Sequence, residues 1–176
     1  MYRQPVPAVQ QMPVFRALVP TGYTLCERFR VGFTSGDQPG VLVSECIRTN
    51  YTNIDNGRMP VRCFDRSLQI PWALMWPGYA SDQTHVIDLR GLTGFTLRAL
   101  ARYICEELCQ MQRTNQDADV PGDTKKWVLG HGGVGSAPGI GLNQIWLVAF
   151  GRTDADDGEL WAPEFEVTTS TLPYAA

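Results

Sequence analysis

Alternation of apolar and polar side chains is clearest between residues 142 and 169. Residues 145–150 form an apolar run, and residues 153–158 form an acidic turn. The next run alternates, with Trp161, Phe165 and Val167 on one face and Glu164 and Glu166 on the other. This pattern predicts a β-hairpin. Because the first run is apolar on both faces, we expect its strand to be buried, whereas the second strand has one face in solvent.

Further strands are predicted on the same grounds along the rest of the chain. They cover residues 14–19, 23–35, 41–47, 60–64, 84–90 and 125–129. The polar turn at residues 36–40 predicts that 41–47 is the hairpin partner of 23–35. Pro163 lies in the last predicted strand and removes one backbone hydrogen bond. If that strand is central, a bulge is expected near residues 162–164.

One long helix is predicted over residues 96–113. Apolar side chains recur along it at helical spacing: Leu97, Leu100, Ala101, Ile104, Leu108 and Met111. Thr93 or Thr96 can cap its first turn, and Arg102 and Glu106 are spaced to pair four residues apart. We expect this helix to pack on the outside of a sheet.

Two segments are candidates for contact with another molecule. Residues 1–13 contain three prolines, which indicates either an extended arm or a frayed terminus, with few basic residues in or near it. Residues 69–79 place large aromatic side chains beside prolines, which indicates either a packed loop or an interface patch exposed in the isolated chain. The predicted interface residues are Trp72, Trp76, Tyr79, Arg3 and Arg16.

Length and composition suit one domain, expected over residues 14–176 of the 176-residue chain. Charged residues make up only 19% of the chain, which fits either a subunit buried among copies of itself or an apolar-leaning monomer. The net charge of -3 argues against a dedicated nucleic-acid binder. The 13 arginines against two lysines fit either an interface or a GC-rich coding sequence. Four arginines are possible contacts to nucleic acid or to neighbouring subunits: Arg28, Arg30, Arg98 and Arg102.

Cysteine usage and hydropathy limit the setting of the protein. The five cysteines show no paired C-x-x-C spacing, which indicates a reducing compartment and not a disulfide framework or a zinc site. No apolar run approaches the length of a membrane span, and residues 1–15 lack the form of a signal peptide. We therefore expect no membrane partner.

The sequence predicts no catalytic residues and no cofactor. The glycine-rich stretch 130–141 precedes a strand and lacks the P-loop lysine, so it does not predict a phosphate site. His85 and His131 are too few for most metal sites, and no G-x-S-x-G motif is present. Two acidic clusters are either solvated turn residues or ligands of a calcium ion shared between subunits. They comprise Asp117, Asp119 and Asp123, and Asp154, Asp156 and Asp157.

The predicted hairpin carries one family resemblance. The run Gly158-Glu159-Leu160-Trp161, followed by Phe165-Glu166-Val167, resembles the last strand of the jelly-roll coat proteins of small icosahedral RNA viruses. Residues 139–150 are similar to the preceding strand, and residues 23–44 are similar more loosely. Satellite-virus and sobemovirus- or tombusvirus-like shells are the nearest comparisons.

The resemblance implies an all-β fold: an antiparallel, eight-stranded jelly-roll sandwich with one inserted helix. It further implies a coat protein that assembles with copies of itself, and with any other coat subunits, into a closed icosahedral shell. The protein would then belong to the virion, assemble in the host cytoplasm and contact viral nucleic acid weakly or non-specifically. The alternative is a metal-free β-sandwich that binds a small ligand, like a lectin or cupin; a thiol-dependent enzyme ranks third.

Overall fold

The computed structural model describes residues 15–48, 53–62, 69–79, 84–90, 94–115, 120, 122–130, 139–154 and 160–168. The described strands are β1 (Arg16–Leu18), β2 (Leu25–Gly32), β3 (Thr34–Ser35), β4 (Gln38–Pro39), β5 (Val41–Leu42), β6 (Gln69–Ala73), β7 (Thr84–Asp88), β8 (Ile145–Thr153) and β9 (Trp161–Thr168). The helices are α1 (Val43–Cys46) and α2 (Leu97–Thr114), with 3-10 turns at Lys125–Trp127 and Leu142–Gln144. Strand residues outnumber helical ones among the described positions, which is consistent with an all-β sandwich.

The predicted hairpin forms the centre of the larger sheet. β8 and β9 pair antiparallel, with Leu147 opposite Phe165 and Trp146 opposite Glu166. The sheet order is β2-β8-β9-β6-β7, with β5 beside β2 on the edge of β8 and β1 beside β6 on the edge of β9. β8 is buried at seven of its nine positions, while β9 alternates beyond Pro163 between buried and half-buried residues. Both expectations for the hairpin are confirmed.

The sheet is mixed and not wholly antiparallel. β6 runs parallel to β9, with Trp72 opposite Trp161, and every other described ladder is antiparallel. The prediction of an antiparallel sheet is therefore wrong at this one ladder. The remaining two strands, β3 and β4, form a separate two-stranded sheet.

Helix α2 covers one face of the large sheet. Its apolar residues Leu100, Ile104 and Leu108 are fully buried in the same core cluster as Phe150 and Phe165. The Thr96 hydroxyl accepts a hydrogen bond from the Ala99 amide and caps the first turn. The predicted helix is confirmed, beginning and ending within one residue of the expected bounds. The predicted Arg102–Glu106 pair is also present, at 2.7 Å. None of the described helices has both the length and the apolar character needed to cross a membrane.

Residues 23–47 differ from the predicted hairpin. β2 and β5 do not pair with each other; both pair with β8. The chain reverses at Gly36 and Asp37, whose positive φ angles of 56° and 65° close a tight two-residue turn between β3 and β4. Residues 43–46 are helical, and this single turn of helix buries Val43 and Cys46 in the core.

Two other predicted strands are reduced to single bridges. Residues 125–127 form a 3-10 turn that buries Trp127, and Leu129 makes one parallel bridge with Ile140. Pro60 makes one antiparallel bridge with Thr96, and residues 63 and 64 lie outside the described residues. The strands expected at 14–19 and 84–90 are confirmed as β1 and β7, apart from Val14, which is also outside the described residues.

Pro163 is accommodated by the neighbours of β9. The carbonyls of Pro163 and Phe165 face the edge shared by β1 and β6, because they accept hydrogen bonds from the Tyr23 hydroxyl at 2.6 Å and the Val19 amide at 2.9 Å. Within a strand, the amide of a residue faces the same edge as its carbonyl. Among the described residues, no strand pairs with β9 at Pro163 on that edge. The ladder does contain an irregularity, but its extra residue is Val148 on β8.

Candidate functional site

The aromatic residues predicted as interface candidates lie inside the chain. Trp72, Trp76 and Tyr79 are 0%, 2% and 8% exposed. The Trp76 indole nitrogen donates to the Trp127 carbonyl at 2.6 Å, and the Tyr79 hydroxyl accepts from the Leu129 amide at 2.9 Å. The packed alternative for residues 69–79 is therefore the one observed, and these three rings form no exposed patch on the isolated chain.

Arg16, another interface candidate, joins several strands. Its guanidinium lies 4.5 Å from the centre of the Trp146 ring, donates to the Pro39 carbonyl at 2.6 Å and is 3.5 Å from the Glu166 carboxylate. It thus connects β1 to β4, β8 and β9. Arg3 lies outside the described residues.

The sheet face opposite α2 carries charged side chains, and we call it the charged face. Cross-strand neighbours share a face, which assigns to it Arg16, Arg30, Trp146, Glu164 and Glu166. The Arg30 and Glu164 side chains form an ion pair at 2.7 Å. The Tyr23 hydroxyl donates to the Pro163 carbonyl at 2.6 Å, and burial raises the pKa of its phenol. The charges described here are therefore largely paired within the chain.

Exposed apolar side chains accompany these pairs. Leu18 is 57% exposed and lies opposite Glu166 in the register, while Val86 is 50% exposed and lies opposite Pro71. Pro71 precedes Trp72, whose ring packs against Tyr103 of α2, so Pro71 and Val86 belong to the charged face. This face therefore combines neutralised charge with apolar surface.

The acidic clusters are described at only two positions. The Asp154 carboxylate accepts a hydrogen bond from the Thr24 amide at 3.1 Å, and Asp123 is exposed. Asp117, Asp119, Asp156 and Asp157 lie outside the described residues. Within the part of the chain that the structure describes, no three His, Cys, Asp or Glu residues are grouped so that they could hold a metal ion.

The glycine-rich stretch has a packing role at its two ends. A Cβ atom on Gly139 would lie 2.6 Å from the Gly130 backbone. The Gly130 amide donates to the Ile140 carbonyl at 3.0 Å, and the Gly130 carbonyl accepts from the Gln112 side chain. These two glycines allow the two ends of the stretch to pack backbone against backbone.

A second arrangement was not predicted, and we call it the arginine–aromatic cluster: Arg28, Phe29, Arg152 and Trp161. The guanidinium carbons of Arg152 and Arg28 lie 4.7 Å and 5.5 Å from the centre of the Phe29 ring. Phe29 contacts Trp161 edge to face, with ring centres 6.4 Å apart. Arg28 was a candidate from the sequence, but Arg152 joins it only through the pairing of β2 with β8.

Comparison with known proteins adds no assignment. No protein-family model matches the chain, and no curated protein or solved structure matches it.

Proposed function

We propose that the protein is a structural coat protein, of jelly-roll type, whose copies self-associate into a closed icosahedral shell around a viral genome. In that role it has no catalytic residues, belongs to the virion and assembles in the host cytoplasm. The sequence resemblance motivates the proposal, and the predominance of strands over helices among the described residues fits the all-β class that the resemblance implies. The observation that carries it is the charged face, with its exposed Leu18 and Val86.

The chemistry of the charged face suits contact with a second copy. Arg16 and Arg30 are already paired with Glu166 and Glu164, so covering them leaves no described carboxylate on this face without a partner. Arginine is enriched at protein interfaces, and interfaces between identical subunits are more apolar than the rest of the surface. A face on which both signs of charge are already paired can also meet its own copy without a net repulsion between the two subunits.

Particle mass tests the proposal directly. Light scattering and negative-stain microscopy of the full-length protein are expected to show a uniform megadalton particle. The same measurement with a chelator tests whether calcium at the acidic clusters holds subunits together. A species near the monomer mass of 19.6 kDa, or its dimer, under all conditions would contradict self-assembly.

The surface itself is tested by Leu18→Glu. This side chain is exposed, so the change should leave the fold intact while placing an unpaired charge in the proposed contact. We expect Leu18→Glu to abolish the particle and leave a folded small species. Met59→Glu is the matched control, because Met59 is 44% exposed and lies outside the large sheet. Loss of the particle in both variants, or in neither, would argue against this face.

A metal-free ligand-binding module is the second candidate function. The arginine–aromatic cluster favours it, because polar groups that converge beside aromatic rings are typical of ligand sites. Deletion of residues 1–13, which lie outside the described residues, separates the two functions: it should disrupt a shell and leave a binding module largely intact.

A further inference from the structure

The arginine–aromatic cluster holds two positive charges that the described residues do not balance. Neither Arg28 nor Arg152 forms an ion pair with a described carboxylate, in contrast to Arg16 and Arg30 on the charged face. The Arg152 Nε is buried and has no hydrogen-bond acceptor among the described residues. Two like charges beside one ring repel each other, so an anion bound next to either of them is favourable.

The cluster rests on a rigid base. Phe29 packs on Trp161, and Trp161 stacks on the buried Phe150 with ring centres 5.7 Å apart. β2 also lies close against β8 here, because a Cβ atom on Gly151 would be 2.9 Å from the Phe29 carbonyl oxygen. The ring that orients both guanidinium groups is therefore fixed by packing and is not free to collapse onto the sheet.

The two arginines differ in exposure, which suits Arg28 to stacking and Arg152 to binding a negative charge. Arg28 is exposed, so the side of its guanidinium plane that faces away from Phe29 is open to a second flat group. Arg152 is half-buried and supplies charge close to the rings. Arginine planes stack on nucleobases, and guanidinium groups bind phosphate.

We propose that this cluster binds a nucleotide unit, with the base stacked on Arg28 and the phosphate held by Arg152. The unit is either a free nucleotide or part of a single strand of RNA. Arg152 lies opposite the buried Trp161, on the other side of the sheet from the charged face, so the site does not depend on self-association through that face. It assigns nucleic-acid contact to particular residues, which the net charge of -3 by itself does not suggest.

The test measures fluorescence anisotropy of a labelled oligouridine of about ten nucleotides at low salt, titrated with the full-length protein. We expect binding that weakens by about tenfold in Arg28→Gln and in Arg152→Gln. The slope of affinity against salt should fall by about 0.7 when the phosphate contact of Arg152 is removed. Arg113→Gln is the control, because it removes the same charge from the exposed last turn of α2.

Competition then identifies the ligand. Uridine monophosphate should displace the oligouridine, and inorganic phosphate at the same concentration should not, since it has no base to stack. Much tighter binding of oligouridine than of uridine monophosphate would identify the RNA strand as the ligand. Equal affinities for the two would identify the free nucleotide. Equal competition by inorganic phosphate would overturn the proposal in favour of a plain anion site.

Folding and assembly are checked separately. Arg28→Gln alters an exposed side chain and should keep the wild-type thermal transition. If Arg152→Gln does not fold, Arg152→Lys replaces it in the binding measurement, because lysine keeps the positive charge. An equal loss of binding in Arg113→Gln, or no binding by the wild type, would refute the site. Arg28→Gln should also form intact particles, because it does not alter the charged face. Loss of nucleotide binding and loss of self-assembly can therefore be told apart.

Discussion

Gly139 shows how a single residue is selected by the space around it. A Cβ atom there would lie 2.6 Å from Gly130 Cα and N and 2.8 Å from the Val128 carbonyl oxygen, all of them backbone atoms. Because backbone cannot rotate away as a side chain can, we expect Gly139→Ala to lower the free energy of unfolding by about 1–3 kcal/mol. Urea denaturation measures this. Gly122→Ala is the control, since an added Cβ meets nothing within 4 Å there. Equal stability of the two variants would contradict the close approach.

At the scale of elements, the β3–β4 turn depends on one carboxylate. Asp55 accepts hydrogen bonds from the Thr34 side chain and from the Gly36 and Asp37 amides, and these bonds lower the pKa of Asp55 below its ordinary value. A pKa that is lower in the folded chain means that the folded state prefers the ionised carboxylate. Its contribution is complete above the unfolded pKa of about 3.9 and is lost as the pH falls through the folded value.

The free energy of unfolding should therefore fall on acidification from about pH 5 to about pH 3, and part of this fall should be missing in Asp55→Asn. Urea midpoints at the two pH values measure it. The Asp88 carboxyl, whose pKa is lowered by hydrogen bonds from Arg90, contributes to the fall in both proteins. An undiminished fall in Asp55→Asn would show that the turn does not depend on the Asp55 charge.

At the scale of the whole molecule, Arg16 links strands that are far apart in sequence. Its contacts with Pro39, Trp146 and Glu166 require one flat, forked cation. Lysine keeps the charge but cannot stack and bind two acceptors together, so Arg16→Lys should lower the free energy of unfolding by about 1 kcal/mol. Arg113→Lys, on the exposed end of α2, is the control in the same urea titration. A loss no greater than that of the control would mean that the three contacts add nothing measurable to stability.

The sequence by itself determined the elements in which the pattern of apolar and polar side chains continues without interruption. The continuous apolar run of β8, the alternation in β9 and the helical spacing in α2 were sufficient, because each of these signals is local. Thr96 as a cap also follows from local chemistry. Pro163 could be identified as a constraint, but where it is tolerated depends on which strands border β9.

Only the tertiary structure decided which strands pair and which residues meet. The partners of β2 and β5 lie on β8, more than a hundred residues away in the sequence, and no local pattern encodes that choice. Burial of Trp72 and Trp76 could not be distinguished from exposure, because aromatic residues beside prolines suit a core and an interface equally well. Arg152 and Arg28 lie beside the same Phe29 ring only because β2 pairs with β8. The spacing and type of side chains indicate which residues can be buried. Tertiary packing decides which neighbours they are buried against.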